Sequence, residues 1–261
     1  MAFTNDKFRL DGKVAIVTGA GGRGNSIGRA YAMGLANAGA AVVVADLNAE
    51  GAARVAEEIS ASGGKALAVQ VDITDRDSVA SMAEAAAKAF GGVDILVNNA
   101  ALMVEVVATP AMQSSMENLD RILKVNLHGA LNCAQAVVPL MAKRGGGRIV
   151  NALSAGAFPA QSLYGVSKIA LLGLTTTLAT ELGSQNITVN AIAPGMTKSD
   201  AGLSLTPDDS PLVKALAGRT PIHLRGEPDE LVGPLIMLVS DAGSWMTGQS
   251  INVDGGWVMR N

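Results

Sequence analysis

The sequence has very few of the residues that mark metal-binding, disulfide-bonded or base-stacking proteins. Its single cysteine, Cys133, cannot form an intramolecular disulfide, which favours a reducing compartment. The two histidines, His128 and His223, lie far apart without a cysteine or carboxylate cluster at metal-ligand spacing, so no metal site is expected. Aromatic residues make up only 3% of the chain, which argues against a surface that stacks bases or sugars.

Clustered positive charge and long apolar runs are also missing. The chain has 20 Lys and Arg residues and 23 Asp and Glu residues, and no basic block interrupts it, so nucleic acid is not an expected partner. Residues 1–13 are polar and lack the apolar stretch of a secretion signal, and no apolar run reaches the length that crosses a bilayer. We therefore expect a cytoplasmic protein that binds neither nucleic acid nor membrane.

What the sequence does contain is ample material for one large core. Hydrophobic residues make up 49% of the 261 residues, and this length suits a single α/β domain over residues 1–261. Short β-branched runs alternate with longer Ala-rich helical patterns. The runs predict strands at 14–18, 41–45, 66–71, 95–97, 148–153, 187–192 and 250–253. The helical patterns between them include 30–38, 49–60, 78–90 and 169–182.

This alternation predicts the fold class. Near-continuous apolar strands with helices between them indicate a parallel sheet that is covered on both faces. Right-handed crossovers then make a doubly wound α/β sheet, with ligands at the carboxyl ends of the strands. Residues 196–225 break the periodicity with Pro and Asp and follow a strand end. We interpret this segment as a substrate-binding loop or lid; an ordinary surface excursion is the alternative.

The first predicted strand leads into the glycine-rich stretch TGAGGRGNSIG at 18–28, after which a helix begins. A pyrophosphate binds to backbone N–H groups at a helix N-terminus, and side chains would block its approach. Asp46 ends the next strand, 18 residues after Gly28, where a carboxylate accepts hydrogen bonds from the adenosine ribose and repels a 2′-phosphate. NAD is therefore expected rather than NADP. Two alternatives stay open: Asp46 caps the helix after Asn48, or Arg23 attracts a 2′-phosphate.

Two further strand ends fit the same nucleotide site. At Asp72-Ile73, the carboxylate can bond the adenine edge while the isoleucine covers its face. At Asn98-Asn99-Ala100, small polar residues can pass under the second ribose. Either pair alone would be ordinary turn chemistry.

Tyr164 and Lys168 are four residues apart in a helical pattern, so both side chains lie on one helix face. A tyrosine with a pKa of about 10 is a poor base at neutral pH. A neighbouring ammonium and a positively charged nicotinamide would lower that pKa and favour the phenolate. Ser154, near the end of the fifth strand, can hydrogen-bond a substrate oxygen; alone it would be a plain loop serine.

Several short motifs follow one another in an order that is far more specific than any one of them. They are Thr18-Gly19 with Gly28, Asn98-Asn99-Ala100, Asn126, Ser154, Tyr164-x-x-x-Lys168, Pro194-Gly195 and Asn252-Val253-Asp254-Gly255-Gly256. Together they resemble the short-chain dehydrogenase/reductase family over essentially the whole chain. The resemblance implies a Rossmann fold with seven parallel strands, a nicotinamide cofactor, and a homotetramer or at least a dimer.

The resemblance also implies roles for a catalytic tetrad. Tyr164 would exchange the proton with the alcohol or carbonyl oxygen, and Ser154 would polarise and orient that oxygen. Lys168 would bond the nicotinamide ribose and lower the tyrosine pKa. Asn126 would hold a water that links Lys168 to solvent, although an amide inside a helix more often satisfies backbone groups.

Other positions are implied as cofactor contacts. Pro194-Gly195 resembles the segment that fixes the nicotinamide face, and Met196 and Ser199 are candidates for its carboxamide, which needs both a donor and an acceptor. The expected cofactor-binding residues are Gly19, Asn25, Ser26, Ile27, Gly28, Asp46, Asp72, Ile73, Asn99, Ala100, Tyr164, Lys168, Pro194, Gly195, Met196 and Ser199.

The sequence departs from the family pattern in two places. The glycine loop is two residues longer than the usual form, with Ser26 where a glycine would precede Ile27. Which of the glycines at 21, 22 and 24 contacts phosphate is therefore open. Ser154 precedes Tyr164 by only ten residues, so Ser162 is an alternative for its role.

Three functions are compatible with these residues. The leading one is an NAD-dependent dehydrogenase that acts on a fairly apolar secondary alcohol or its ketone, with Met103, Phe158, Met196 and Leu203 as candidates for an apolar pocket. The alternative is an NADPH-dependent 3-oxoacyl reductase whose substrate rides on a carrier protein or coenzyme A. A nucleotide-binding redox sensor without catalysis is disfavoured, because it has no use for Tyr164 and Lys168.

Overall fold

Seven parallel strands form one sheet at the centre of the protein. The computed structural model describes residues 4–22, 24–103, 110–158, 162–216, 218 and 220–259. The strands are β1 (Val14–Thr18), β2 (Ala41–Asp46), β3 (Lys65–Gln70), β4 (Ile95–Asn98), β5 (Gly147–Ala152), β6 (Ile187–Pro194) and β7 (Ser250–Val253). They lie in the order β3-β2-β1-β4-β5-β6-β7 with every pair parallel. The predicted seven-stranded, doubly wound sheet is confirmed.

Helices cover both faces of this sheet. Those that pack on one face are α1 (Ile27–Asn37), α2 (Ala49–Ala61) and α9 (Val232–Val239). Those on the other face are α3 (Arg76–Phe90), α5 (Ala130–Lys143) and α6 (Leu163–Leu182). Shorter helices are α4 (Met116–Leu123), α7 (Asp200–Leu205) and α8 (Pro211–Leu216).

The valine run of β2 shows why the strands are continuously apolar. Val42 and Val44 pack into the core on the side of α1, α2 and α9, whereas Val43 packs into the core on the side of α3 and α5. Because successive strand residues point to opposite faces, a strand covered on both sides buries every one of them. The sheet thus separates two hydrophobic cores.

The predicted strands are all present, but β3 and β5 each begin and end one residue earlier than expected. Val71 still donates its backbone N–H to the Asp46 carbonyl at 2.9 Å, and Leu153 donates to the Ile192 carbonyl at 2.7 Å. These two apolar residues therefore continue the hydrogen bonding just beyond the strands, which is why the sequence pattern included them.

The expectation that no apolar run is long enough to cross a membrane is wrong for one described helix. Leu163–Gln185, which comprises α6 and the turn after it, passes that test by length and composition. In the fold this helix contributes Leu171, Leu178 and Leu182 to the buried interior. A helix that is apolar on most sides is either buried or a membrane span. In this fold, 39% of the most apolar 18-residue window of the helix is buried.

The segment 196–225 contains α7 and α8 rather than irregular chain alone. A bridge between Thr197 and Gly226 joins its two ends. The buried guanidinium of Arg225 donates hydrogen bonds to the carboxylate of Asp208, at 2.7 Å, and to Thr206. The segment is therefore tied together at its base, and its role as a lid stays a prediction.

Candidate active site

A cleft of about 510 Å³ opens at the carboxyl ends of the central strands. Most of the predicted site residues lie on its wall: Gly19, Ser26, Ile27, Gly28, Asp46, Asp72, Ile73, Asn99, Ala100, Tyr164, Lys168, Pro194 and Ser199. Apolar residues absent from the predicted cofactor set also line it: Leu47, Val71, Ala101, Leu102, Met103, Val125, Leu153 and Ala201. The fold thus brings together residues that are up to 182 positions apart (Gly19 and Ala201).

The glycine loop places the start of α1 directly against the ends of β1 and β4. Gly19 has φ of +66°, and a Cβ there would lie 2.7 Å from the Cα of Ala100. A Cβ on Gly28 would lie 2.7 Å from the side-chain nitrogen of Asn99. Only hydrogen fits at both positions. Ser26 caps α1 by accepting a hydrogen bond from the Arg29 N–H at 3.2 Å, so the positive end of the helix dipole faces the cleft.

The glycines at 21, 22 and 24, each a candidate for the phosphate contact, have different surroundings. Gly22 lies on the wall of the cleft. Gly21 donates its N–H to Asp46 at 2.8 Å and packs against the start of α2. A Cβ on Gly24 would lie 3.2 Å from the carboxyl carbon of Asp200 in α7. Gly22 is therefore the best placed of the three for a phosphate, and Arg23 lies outside the described residues.

Asp46 joins the glycine loop to the turn after β2. One carboxylate oxygen accepts the Gly21 N–H at 2.8 Å, and the other accepts the Asn48 N–H at 2.9 Å. The cap of α2 is Asn48, which accepts a hydrogen bond from Gly51 at 3.3 Å. The alternative in which Asp46 caps this helix is therefore wrong. The carboxylate stays on the cleft wall, where it can also accept from a ribose hydroxyl.

Thr18 and Asn99 fasten β1 to β4 beneath the cleft. The Thr18 hydroxyl accepts N–H bonds from Asn99 at 3.1 Å and from Ala100 at 3.2 Å. The Asn99 amide donates in return to the carbonyls of Thr18 at 3.1 Å and of Gly19 at 3.0 Å. Thr18 was missing from the predicted site residues. Its place directly before the first loop glycine was the signal that pointed to it.

The adenine-site candidates sit on a turn after β3. Asp72 is exposed, and its carboxylate accepts from both the N–H and the hydroxyl of Thr74 at 2.8 Å. Ile73 is buried, and its carbonyl accepts from the Asn132 amide at 3.0 Å. Both residues therefore make the hydrogen bonds of an ordinary turn, and both also line the cleft.

Three predicted cofactor contacts lie off the cleft wall. Asn25 donates its amide to the Lys198 carbonyl at 3.1 Å, which ties the glycine loop to the chain before α7. Gly195 packs so closely on the C-terminal segment that a Cβ would lie 2.6 Å from the Cα of Asp254. Met196 accepts the Gly226 N–H at 3.0 Å. In this structure these residues support the walls, and their contact with cofactor stays a prediction.

Tyr164 and Lys168 occupy the first turns of α6, as their spacing predicted. The Lys168 Nζ lies 5.5 Å from the centroid of the Tyr164 ring, and it donates to the carbonyl of Ala152, the last residue of β5, at 2.7 Å. Ser154 follows two residues later and shares a hydrogen bond with the Tyr164 side chain. Ser162, the alternative serine, caps α6 by accepting from Gly165 at 3.2 Å. The hydroxyl beside Tyr164 therefore belongs to Ser154.

Burial shifts both titrating groups toward their neutral forms. It raises the pKa of Tyr164 above its usual value, while the Ser154 hydrogen bond acts in the opposite direction. It lowers the pKa of Lys168 to about 7. The expected lowering of the Tyr164 pKa by Lys168 is therefore not produced by the protein alone, because desolvation of the buried ring outweighs the Ser154 hydrogen bond that lowers it.

Asn126 lies in a π-helical segment, Lys124–Gly129, between α4 and α5. Its amide oxygen accepts the Leu102 N–H at 2.7 Å, and its amide nitrogen donates to the Leu102 carbonyl at 3.1 Å and to Ser167 at 3.0 Å. Ser167 donates onward to the Tyr164 carbonyl at 2.7 Å. The amide thus satisfies backbone groups and links the cleft wall to α6, and the water relay stays a prediction.

Metal-dependent and thiol-dependent catalysis have little support in the part of the chain that the structure describes. Across its described ranges, no group of three His, Cys, Asp or Glu residues is placed to hold a metal ion. Cys133 is buried, and burial raises the pKa of its thiol to about 12. A thiol with so high a pKa is a poor nucleophile at neutral pH.

Comparison with known proteins agrees with this geometry. A family model described as Enoyl-(Acyl carrier protein) reductase matches residues 22–258. An uncharacterized oxidoreductase of Mycobacterium tuberculosis (strain ATCC 25618 / H37Rv) is 48% identical over 252 residues, which cover 97% of this chain and all of the relative. The 3-oxoacyl-[acyl-carrier-protein] reductase FabG of Thermotoga maritima is 35% identical over 254 residues, covering 96% of this chain and 100% of that protein.

A solved structure supports the same assignment. 7α-Hydroxysteroid dehydrogenase, complexed with NADH and 7-oxo glycochenodeoxycholic acid, superposes with a TM-score of 0.90 at 38% identity and covers 99% of each chain. The chain therefore belongs to the short-chain dehydrogenase/reductase family. It is an NAD(P)-dependent oxidoreductase, which confirms the resemblance found in its motifs.

The buried amine of Lys168 makes the stability of the protein depend on pH. Its folded pKa of about 7 lies below the usual 10.5, so between these values the unfolded chain binds a proton that the folded chain lacks. The free energy of unfolding must rise with pH above 7, by at most about 1.4 kcal/mol per pH unit from this group. Lys168→Met should remove this rise.

Urea unfolding of the wild type and Lys168→Met at pH 7, 8 and 9 measures the effect. Other titrating groups cancel in the difference between the two proteins. The matched control is Lys88→Met on the exposed side of α3, which should keep the wild-type pH dependence. Parallel curves for the wild type and Lys168→Met would show that Lys168 has no depressed pKa.

Proposed function

We propose that this protein is an NAD-dependent dehydrogenase that interconverts a fairly apolar secondary alcohol and its ketone. The observation that carries the proposal is the grouping of Tyr164 and Lys168 on the wall of a cleft that the glycine loop also lines, with Ser154 hydrogen-bonded to Tyr164. The wall beside the catalytic residues is largely apolar, with Leu102, Met103 and further aliphatic side chains. An uncharged substrate suits such a wall.

Tyr164 serves as the acid or base in this proposal, and the direction depends on the charge beside it. Its raised pKa keeps the phenol protonated in the protein alone, which suits proton donation to a ketone oxygen. NAD, when bound in the cleft, would supply the hydride acceptor and a positive charge that favours the phenolate. Tyr164 would then take the alcohol proton, and the neighbouring Ser154 hydroxyl would donate a hydrogen bond to the same oxygen.

Lys168 acts through position and charge. Its Nζ is fixed by the Ala152 carbonyl and, when protonated, keeps two further hydrogens that could bond a ribose hydroxyl. With a pKa of about 7 it is partly protonated at neutral pH, so it can pass a proton toward Tyr164 during turnover. Lys168 is 2% exposed. A proton that reaches its amine from solvent must therefore come through the cleft.

The choice of NAD rests on Asp46. A carboxylate on the wall beside the glycine loop can accept from a ribose hydroxyl but repels a 2′-phosphate. The related hydroxysteroid dehydrogenase was solved with NADH, which agrees with this choice.

The runner-up is an NADPH-dependent 3-oxoacyl reductase, since the relative from Thermotoga maritima is a 3-oxoacyl-[acyl-carrier-protein] reductase. Such an enzyme needs basic residues at the mouth of its cleft to hold the phosphates of NADPH and of the acyl carrier. On the described wall the one basic side chain is the buried Lys168. This favours the alcohol dehydrogenase over the reductase.

Assembly, location and the lid are proposed together with this function. We expect a homotetramer, or at least a dimer, because Val166 and Ile169 on α6 and Trp245 expose large apolar side chains. We also expect the protein to lie in the cytoplasm. We expect residues 196–225 to cover the substrate, because Ser199 and Ala201 of this segment line the cleft. Sedimentation velocity measures the assembly, and a monomer would remove that part of the proposal.

Tyr164→Phe tests the acid or base role. It should lower kcat by at least about a thousandfold, since general acid–base catalysis contributes factors of this order, while NADH binding stays measurable by fluorescence. The matched control is Tyr31→Phe, which removes the other tyrosine hydroxyl of the chain. That hydroxyl is buried and has no hydrogen-bond partner among the described residues, so its loss should leave turnover unchanged. Retained turnover in Tyr164→Phe would remove Tyr164 from the mechanism.

Asp46→Asn tests the cofactor choice with little change in shape. The amide keeps an acceptor for the Gly21 or Asn48 N–H but loses the charge that repels a 2′-phosphate. We expect the ratio of kcat/KM for NADP to that for NAD to rise at least about tenfold, which corresponds to about 1.4 kcal/mol. Asp11→Asn, an exposed charge outside the cleft, is the control. An unchanged ratio in Asp46→Asn would take Asp46 out of the ribose site.

A further inference from the structure

Trp257, in the C-terminal segment after β7, lies beside the catalytic serine. A Cβ built on Gly156 would lie 3.2 Å from the Cη2 and 3.5 Å from the Cζ3 of this indole. The same point lies 3.6 Å from the Oγ of Ser154. The six-membered ring of Trp257 and the Ser154 hydroxyl therefore approach the same side of Gly156. The indole is half-buried, so part of it stays accessible.

The segment that carries Trp257 is held in a tight turn. The two carboxylate oxygens of Asp254 accept N–H bonds from Gly256 at 3.0 Å and from Val258 at 2.9 Å. The Trp257 N–H donates to the Asp254 carbonyl at 3.1 Å. Asn252 closes the turn by donating its amide to the Val258 carbonyl at 2.8 Å. The backbone on both sides of the indole is thus fixed by one carboxylate.

The same turn packs against the far end of the segment 196–225. Ile222 donates its N–H to the Gly255 carbonyl at 3.2 Å, and a Cβ on Gly256 would lie 3.0 Å from the ring of Pro221. Glycine at both positions lets the turn lie flat on this segment. The indole is therefore preorganised rather than free to swing away, which lowers the entropic cost of binding against it.

Gly156 has no side chain to fill the space between Trp257 and Ser154. Ala155–Ala157 is a short 3-10 turn whose two alanines are buried, so it presents only backbone and the Gly156 hydrogens here. A substrate whose oxygen reaches Ser154 and Tyr164 must place its adjacent carbon skeleton next to this space. A rigid ring loses less conformational freedom there than an open chain does.

We infer that Trp257 determines specificity and that the substrate is a secondary alcohol, or ketone, within an alicyclic or aromatic ring system. The substrate ring lies against the indole while its oxygen lies between Ser154 and Tyr164. The contact combines apolar burial with the preference of aromatic rings for flat partners. This inference rests on the proposed function and specifies its substrate class.

The test compares a cyclic and an open-chain alcohol of equal carbon number, cyclohexanol and 2-hexanol, with NAD or NADP. We expect the wild type to have a kcat/KM at least about tenfold higher for cyclohexanol. Trp257→Leu should lower kcat/KM for cyclohexanol about tenfold and that for 2-hexanol less than threefold. A tenfold loss corresponds to about 1.4 kcal/mol, which is within the range of aromatic ring contacts. NADH affinity, measured by fluorescence, should not change.

The second tryptophan provides the matched control. Trp245 is 98% exposed, so Trp245→Leu should leave the cyclic preference intact. Turnover without a cyclic preference, or an equal loss for both alcohols in Trp257→Leu, would overturn the inference and leave the dehydrogenase in place. No turnover of any secondary alcohol or ketone with either nucleotide would instead overturn the proposed function itself.

A binding measurement keeps the inference testable if Trp257→Leu fails to fold. Because the chain has two tryptophans, Trp245→Phe leaves Trp257 as the single indole emitter. Cyclohexanone added to its complex with NADH, in a Tyr164→Phe background that blocks turnover, should change the tryptophan emission, and 2-hexanone should change it much less. Equal responses to both ketones, or no response to either, would overturn the placement of the ring against Trp257.

Discussion

The hydrogen bond from Lys168 to the Ala152 carbonyl joins the catalytic helix to the sheet, and the geometry of the catalytic residues follows from it. α6 begins at the Ser162 cap, and its second turn reaches back to the last residue of β5. Ser154 follows that residue by two positions and meets Tyr164 from the strand side. One contact therefore sets the separation of an amine, a phenol and a hydroxyl that come from two different elements.

Burying Lys168 also sets the chemistry that these groups can perform. Desolvation disfavours charge on either group, so the protein by itself holds a neutral phenol beside an amine with a pKa of about 7. In the proposed function, the charge of a bound nicotinamide would select between the acid and base roles of Tyr164. The phenol would stay protonated beside an uncharged reduced ring, whereas the positive charge of an oxidised ring would favour the phenolate.

The sequence was informative wherever a function depends on residue type at a fixed local spacing. The valine runs, the glycines at 19 and 28, and the i, i+4 pair Tyr164 and Lys168 each report a local constraint, and the structure has them in the expected elements. What could not be predicted arises from tertiary contacts. The sign of the Tyr164 pKa shift depends on how much protein surrounds the ring, which spacing does not encode. The hydrogen bond between Asn126 and Leu102 joins residues 24 positions apart in sequence, so no local pattern could have identified Leu102 as the partner of this amide.

The two halves of the cleft are built in different ways, and this explains why the cofactor side was easier to predict than the substrate side. The cofactor side is formed by strand ends and backbone groups, with Thr18 and Asn99 fastening neighbouring strands to each other. Such a site tolerates few residue types, so it leaves a readable pattern. In the inferred arrangement, the substrate side combines the backbone at Gly156 with the indole of Trp257, and these groups only need to fit one another. We therefore expect specificity to change through single side chains near the substrate, while the strand ends proposed to hold the nucleotide stay the same.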